Sequence, residues 1–172
     1  MYDGEVVSRE VYVHLREAFA AAKAEIEALW AATVPLTIPD PVTWFYGHNP
    51  VLIEWPSTAF PFVSVMSPGS DPVGKDGTPG YGEQAVTTHV DCYVVADTVT
   101  EVNVLIQRYV AVLYQALLSK RNYKGYIPER FVPTVDISEA VRHKQQANAD
   151  TFDADDMDYF QGARITFVTQ GD

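Results

Sequence analysis

The chain has 172 residues, 47% of them hydrophobic, which suits a single domain (residues 1–172) that buries about 70% of its unfolded surface. A formal charge of −11 repels phosphate backbones at long range and disfavours nucleic acid or an anionic membrane as the main partner. One cysteine, Cys92, excludes an internal disulfide and a thiolate metal cluster within one chain. No apolar run approaches the roughly 18 residues of a membrane span, and residues 1–5 lack the basic flank of a signal peptide. The sequence therefore predicts a soluble protein that stays in the compartment where it is made.

Residues 9–32 read as a helix, because Val11, Leu15, Ala18, Phe19, Ala22, Ile26 and Leu29 recur at three- and four-residue steps in an Ala-rich background. Ser8 is placed to cap its start and Pro35 to stop it. Short apolar runs broken by prolines follow, at residues 42–46, 51–53 and 60–66, and these read as strands at edges or bulges. Trp44, Phe45, Tyr46, Trp55, Phe60 and Phe62 concentrate aromatic area there. Most of it fits a core under a small sheet, and its setting among prolines also suits a protein interface.

Residues 67–83 show no apolar periodicity and read as a long loop. Residues 69–77, GSDPVGKDG, meet the phosphate-loop pattern G-x-x-x-x-G-K-[ST] except at the end, where Asp76 replaces the hydroxyl residue. The physics opposes a nucleotide site. Pro72 has no N–H to offer a phosphate, Asp76 would repel it, and Gly77-Thr78-Pro79-Gly80-Tyr81-Gly82 resists forming the helix such a loop requires.

From Gln84 strict alternation returns. Val86, Thr88, Val90, Cys92 and Val94 fall on one face of a long strand, and Thr87, His89, Asp91 and Tyr93 on the other, where His89 and Asp91 can be hydrogen-bonded neighbours. Residues 98–119 read as a second helix, opened by the capping box Thr98-Val99-Thr100-Glu101 and striped by Val102, Leu105, Ile106, Tyr109, Val112, Leu113, Ala116 and Leu117. The basic cluster Lys120-Arg121-Asn122-Tyr123-Lys124 is expected at its end, where cations complement the helix dipole. Residues 131–137, with an extension towards Val141, and residues 159–169 supply two closing strands.

Residues 145–157 form a polar, acidic segment that reads as a second long loop. Its carboxylates fail the EF-hand pattern, since Asp158 stands where the sixth-position glycine belongs and Arg164 where the twelfth-position glutamate belongs. His14, His48, His89 and His143 fall in separate elements without metal spacing, and Cys92 points away from His89. The sequence nominates no catalytic, cofactor-binding or metal-ligating residue. The order helix, strands, strand, helix, strands predicts the α+β class: an antiparallel or mixed sheet flanked by two main helices, with two long loops.

This order, with its leading amphipathic helix, "FPFVSVMSP" strand, Gly/Pro loop, long strand TTHVDCYVVAD, capped helix TVTEVNVLIQRYVAVLYQALLSK and closing strand pair, resembles the tail terminator and tail-completion proteins of tailed bacteriophages. The resemblance spans most of the chain and rests on layout. It implies a structural virion protein at the head–tail junction, assembled in the host cytoplasm into a ring, usually a hexamer, that caps the tail tube, stops its polymerisation and meets the head-completion or connector protein. It implies no membrane partner and no catalytic residues. DNA would pass through the lumen unbound, repelled by acidic side chains such as Asp153, Asp155 and Asp156.

On this reading the candidate assembly contacts are Gly69, Lys75, Asp76 and Tyr81 of the first loop, Trp44 and Trp55 before it, and Asp153, Asp155 and Asp156 of the second. The layout leaves open a neck or connector protein, a tail-tube or sheath subunit, and a small enzyme using His89 and Asp91. Because the glycine-rich loop lacks the parts of a phosphate site, millimolar ATP or GTP is expected to leave the melting temperature unchanged in a thermal-shift assay.

Overall fold

The computed structural model describes residues 3–33, 36–47, 57–72, 84–128, 133–144 and 157–171. Helix α1 (Asp3–Trp30) is followed by β1 (Thr43–Tyr46), β2 (Phe62–Pro72), β3 (Gln84–Ala96), helix α2 (Val99–Leu118), β4 (Tyr126–Pro128), β5 (Thr134–Ile137), β6 (Val141–Lys144) and β7 (Met157–Gly171). The fold is α+β, a mixed sheet with two helices. The strand order is β1-β2-β3-β7, with β4, β5 and β6 lying in succession along the far edge of β7. Among the described residues only β1 and β2 run parallel; the other pairings are antiparallel.

Helix α1 begins six residues before the expected start. Val7 extends the apolar stripe by one turn, and with Val11, Leu15, Phe19 and Ala22 it is buried against the sheet. Ser8 is thus inside the helix and caps nothing; its hydroxyl donates back to the Gly4 carbonyl at 2.7 Å. In α2 the N-cap half of the capping box forms as read, while the Glu101 carboxylate meets the Thr98 hydroxyl. Thr98 has an extended backbone, its side-chain oxygen accepts the Glu101 N–H at 3.2 Å, and its hydroxyl reaches the Glu101 carboxylate at 3.1 Å.

The basic cluster beyond α2 has a different use from the one expected. No cation sits in the last turn of the helix; instead Lys124 and Lys120 reach Glu10 of α1, at 2.8 and 3.6 Å, and hold Glu10 below the usual carboxylate range. Between them Tyr123 is buried and donates to the Leu117 carbonyl at 3.3 Å. Lys124 and Gly125 then adopt positive φ, 54° and 93°, which turns the chain back into β4.

Both helices cover one face of the sheet, α1 over β2 and β3, α2 over β3 and β7. The core between the layers takes Val63 and Val65 from β2, Val86, Val90, Cys92 and Val94 from β3, and Ala163, Ile165 and Phe167 from β7. Burial pushes the Cys92 thiol far above its ordinary value, so it remains protonated and inert.

Two expected boundaries move. Residues 67–72, read as the start of a loop, continue β2 past a bulge between Met66 and Gly69. The strand expected at residues 131–137 and towards Val141 is two pieces. Ile137 faces Ala163 and Val141 faces Phe160, so this edge carries one more residue than β7 does, a bulge centred on Ser138–Ala140. The expected strand at 51–53 and most of the acidic segment, residues 145–156, lie outside the described residues. Because Leu113 is fully buried in the core, Leu113→Ala is expected to cost about 2–5 kcal/mol, measured by urea denaturation.

Candidate functional site

The alternation that buries one face of β3 turns Thr87, His89, Asp91 and Tyr93 to the face without helices. The β3–β7 register sets Asp91 opposite Arg164, His89 opposite Thr166 and Tyr93 opposite Gly162, while β5 brings Asp136 to the other side of Arg164. Arg164 forms a planar fork on Asp91, Nε to Oδ1 at 2.7 Å and Nη2 to Oδ2 at 2.9 Å. Asp91 is 1% exposed, whereas the Arg164 side chain is 41% exposed, so the guanidinium acts as the lid that makes the buried carboxylate tolerable.

Around this pair the groups are tuned by burial and charge. The hydrogen bond to Asp91 raises Arg164 above its ordinary value. Tyr93 is pushed up to about 12, first by burial and then by the Asp91 charge. His89 is lowered by burial and by Arg164, with Asp91 opposing. The expected His89–Asp91 hydrogen bond is not what forms: His89 Nδ1 lies 2.9 Å from the Thr166 hydroxyl, and both Asp91 oxygens are engaged by Arg164. Cys92 is buried on the opposite face, as the alternation requires.

Asp91, Tyr93, Asp136, Ser138, Gly162 and Arg164 line a shallow depression of about 210 Å³. Its floor is rigid. A Cβ built on Gly162 would come within 2.6 Å of Tyr93 Cε1, so the ring lies directly over the glycine. Ser138 fastens the bulge beside it, with its amide donating to the Gly162 carbonyl at 2.9 Å and its side-chain oxygen accepting the Gly162 N–H at 3.1 Å. Gln161 Nε2 adds a bond to the Ser138 carbonyl at 2.8 Å. Towards one end, the same face becomes an aromatic cluster. Phe62 meets Phe45, Phe60 and Tyr93 at ring separations of 6.2, 6.3 and 6.2 Å, and Phe60 meets Phe160 edge-on at 5.1 Å.

The nominated contact residues have separate fates. Trp44 lies on β1 and packs edge-on against Tyr12 and Phe19 of α1, which makes it part of the sheet-to-helix contact. Gly69 lies in β2 opposite Thr87, within a strand. Lys75, Asp76, Tyr81, Trp55, Asp153, Asp155 and Asp156 lie outside the described residues. The sequence reading missed Arg164, although its position between inward-facing Ala163 and Ile165 placed it on the outer face. It also missed the exposed edge, where Ile127, Val135, Ile137 and Val141 leave apolar surface in water.

Among the described residues no group of three or more His, Cys, Asp or Glu is arranged to hold a metal ion, and no helix is long and apolar enough to cross a membrane. No protein-family model and no curated protein matches the chain. The outer face is a polar surface on which Asp91 and Arg164 are paired with each other. Arg164→Leu strands the Asp91 carboxylate in a buried position and is expected to cost about 3 kcal/mol in chemical denaturation, less any relief from residual solvent; Asp91→Leu/Arg164→Leu should recover more than half of that loss.

Proposed function

We propose that this protein is a structural subunit of a bacteriophage tail, a terminator whose copies close into a ring on the end of the tail tube. The observation that carries the reading is that one sheet edge holds four of the ten exposed large hydrophobics among the described residues. Ile127, Val135, Ile137 and Val141 are 40–59% exposed, and all four belong to the broken outer edge formed by β4, β5 and β6. Every residue of β5 is exposed. An edge of this kind is normally blunted with charge or covered, because it invites pairing with another chain. With Val135 and Ile137 left in water on either side of Asp136, it suits a protein whose work is association.

The phage-tail layout gives that association its form. A heterologous contact that closes on itself makes a ring, and the same contact without closure makes a filament. In this proposal the partners are other copies of the chain, the tail tube protein on one side and the head-completion or connector protein on the other. The net charge of −11 lets DNA traverse the channel without adhering. The pairing of Asp91 with Arg164 supports a structural use of the outer face, since both groups are committed to each other.

Mass photometry and negative-stain imaging of the purified chain test the reading. Discrete closed rings are the expected result. Open stacks would replace the terminator with a tube or sheath subunit. A monomer that stays monomeric in the presence of tail tubes and turns over a small molecule at His89 would overturn the structural role.

A further inference from the structure

We infer that the ring is built by continuing the sheet from one copy to the next, with the β5 edge of one subunit seated against the β1 edge of its neighbour. This inference rests on the ring reading above and specifies the surfaces involved. The Ser138 amide donates to the Gly162 carbonyl, and antiparallel alternation then points the amide of Asp136 towards β7 and those of Val135 and Ile137 outward. On β1, Thr43 and Gly47 donate to the Pro61 and Val65 carbonyls of the β2 side, so the amides of Trp44 and Tyr46 point away from it. Among the described residues β1 pairs with β2 alone, and β5 with β7 alone. Each edge thus offers two outward-facing residues on a four-residue strand.

The helix layer supplies the second argument. Val135 and Ile137 stand opposite Ile165 and Ala163, which places their side chains on the helix-covered face. Yet α2 lies over β3 and β7, and both side chains remain exposed beyond it. At the other end of the sheet α1 extends over β1, with Tyr12 against Trp44 and Tyr46. Seating β1 of a neighbour on β5 brings that neighbour's α1 alongside α2 and roofs the uncovered strip. Val42, 62% exposed just before β1, is covered in the same step.

Charge selects this pairing over the symmetric one. Two β5 strands paired antiparallel about their centre would set Asp136 against its own copy, and like charges directly opposite are destabilising. Asp136 lies on the helix-free face beside Arg164, and β1, with the sequence TWFY, sets no charged residue against it. The pairing of β5 with β1 is therefore free of the repulsion that the symmetric pairing carries, which favours a heterologous contact.

The test joins substitution with mapping. Val135→Lys/Ile137→Lys should keep the wild-type melting temperature and raise the apparent dissociation constant for self-association at least about a hundredfold, while Leu29→Lys, at an exposed site on α1, leaves assembly intact. A photo-reactive residue at position 137 should cross-link to residues 9–16 or 42–46 of another copy. Rings that survive the double lysine substitution, or cross-links to residues 134–141 of the second copy, would overturn the edge assignment and leave the ring reading standing. Filaments joined by the expected cross-links would uphold the edge contact and overturn the ring. A wild-type chain that neither assembles nor cross-links at its highest soluble concentration, with tail tubes present, would overturn both.

Discussion

The ladder between β3 and β7 is the constraint on which the rest of the molecule depends. It runs in unbroken register from Ala85 opposite Gln170 to Ala96 opposite Tyr159, and the side-chain period of two divides every residue in it between two environments. Val86, Val90, Cys92 and Val94 receive both helices on one side. Asp91, Tyr93 and Arg164 form the polar surface on the other. A slip of one residue would place Asp91 opposite Ala163 or Ile165, sending a carboxylate towards the core or valines towards water. The fork between Asp91 and Arg164 belongs to the observed register, in which the two residues stand opposite each other, and a slip would forfeit it.

The two edges follow from that central pair. β2 lies on one flank of β3 and extends well past β1, so residues 67–72 have β3 as a neighbour on one side and only there, among the described strands. That is a position where Pro72 and Gly69 are tolerated. β7 is longer than any single partner, and three short strands share its outer flank. The breaks between them fall near Pro128 and Pro133 and at the Ser138 bulge. Ser138 supplies the hydrogen bonds that the interrupted ladder cannot, which lets the edge change register without leaving Gly162 unsatisfied.

Much of this was legible in the sequence where a local rule and a global one agree. The capping box at Thr98 and the apolar stripe behind it specify α2 without reference to anything distant, and the alternation from Val86 to Val94 specifies both the strand and its buried face. Readings failed where the deciding partner was remote. Ser8 looks like a cap until Val7 is seen to be buried, and the lysines after α2 look like dipole partners until Glu10 of α1 comes into reach. His89 and Asp91 look like a pair because they share a strand face, yet each finds its partner across the ladder on β7. The exposed edge was harder still, since Val135 and Ile137 read as core residues in any alternating strand and only the extent of the helix layer leaves them in water.

The close stacking of Tyr93 on Gly162 couples two positions that are far apart in the chain. With the phenol ring where it lies, a Cβ at 162 would come within 2.6 Å of it, so a side chain there is admitted only if the ring swings aside. What can stand at either position is thus decided by the other, a dependence set by the geometry of one cross-strand pair.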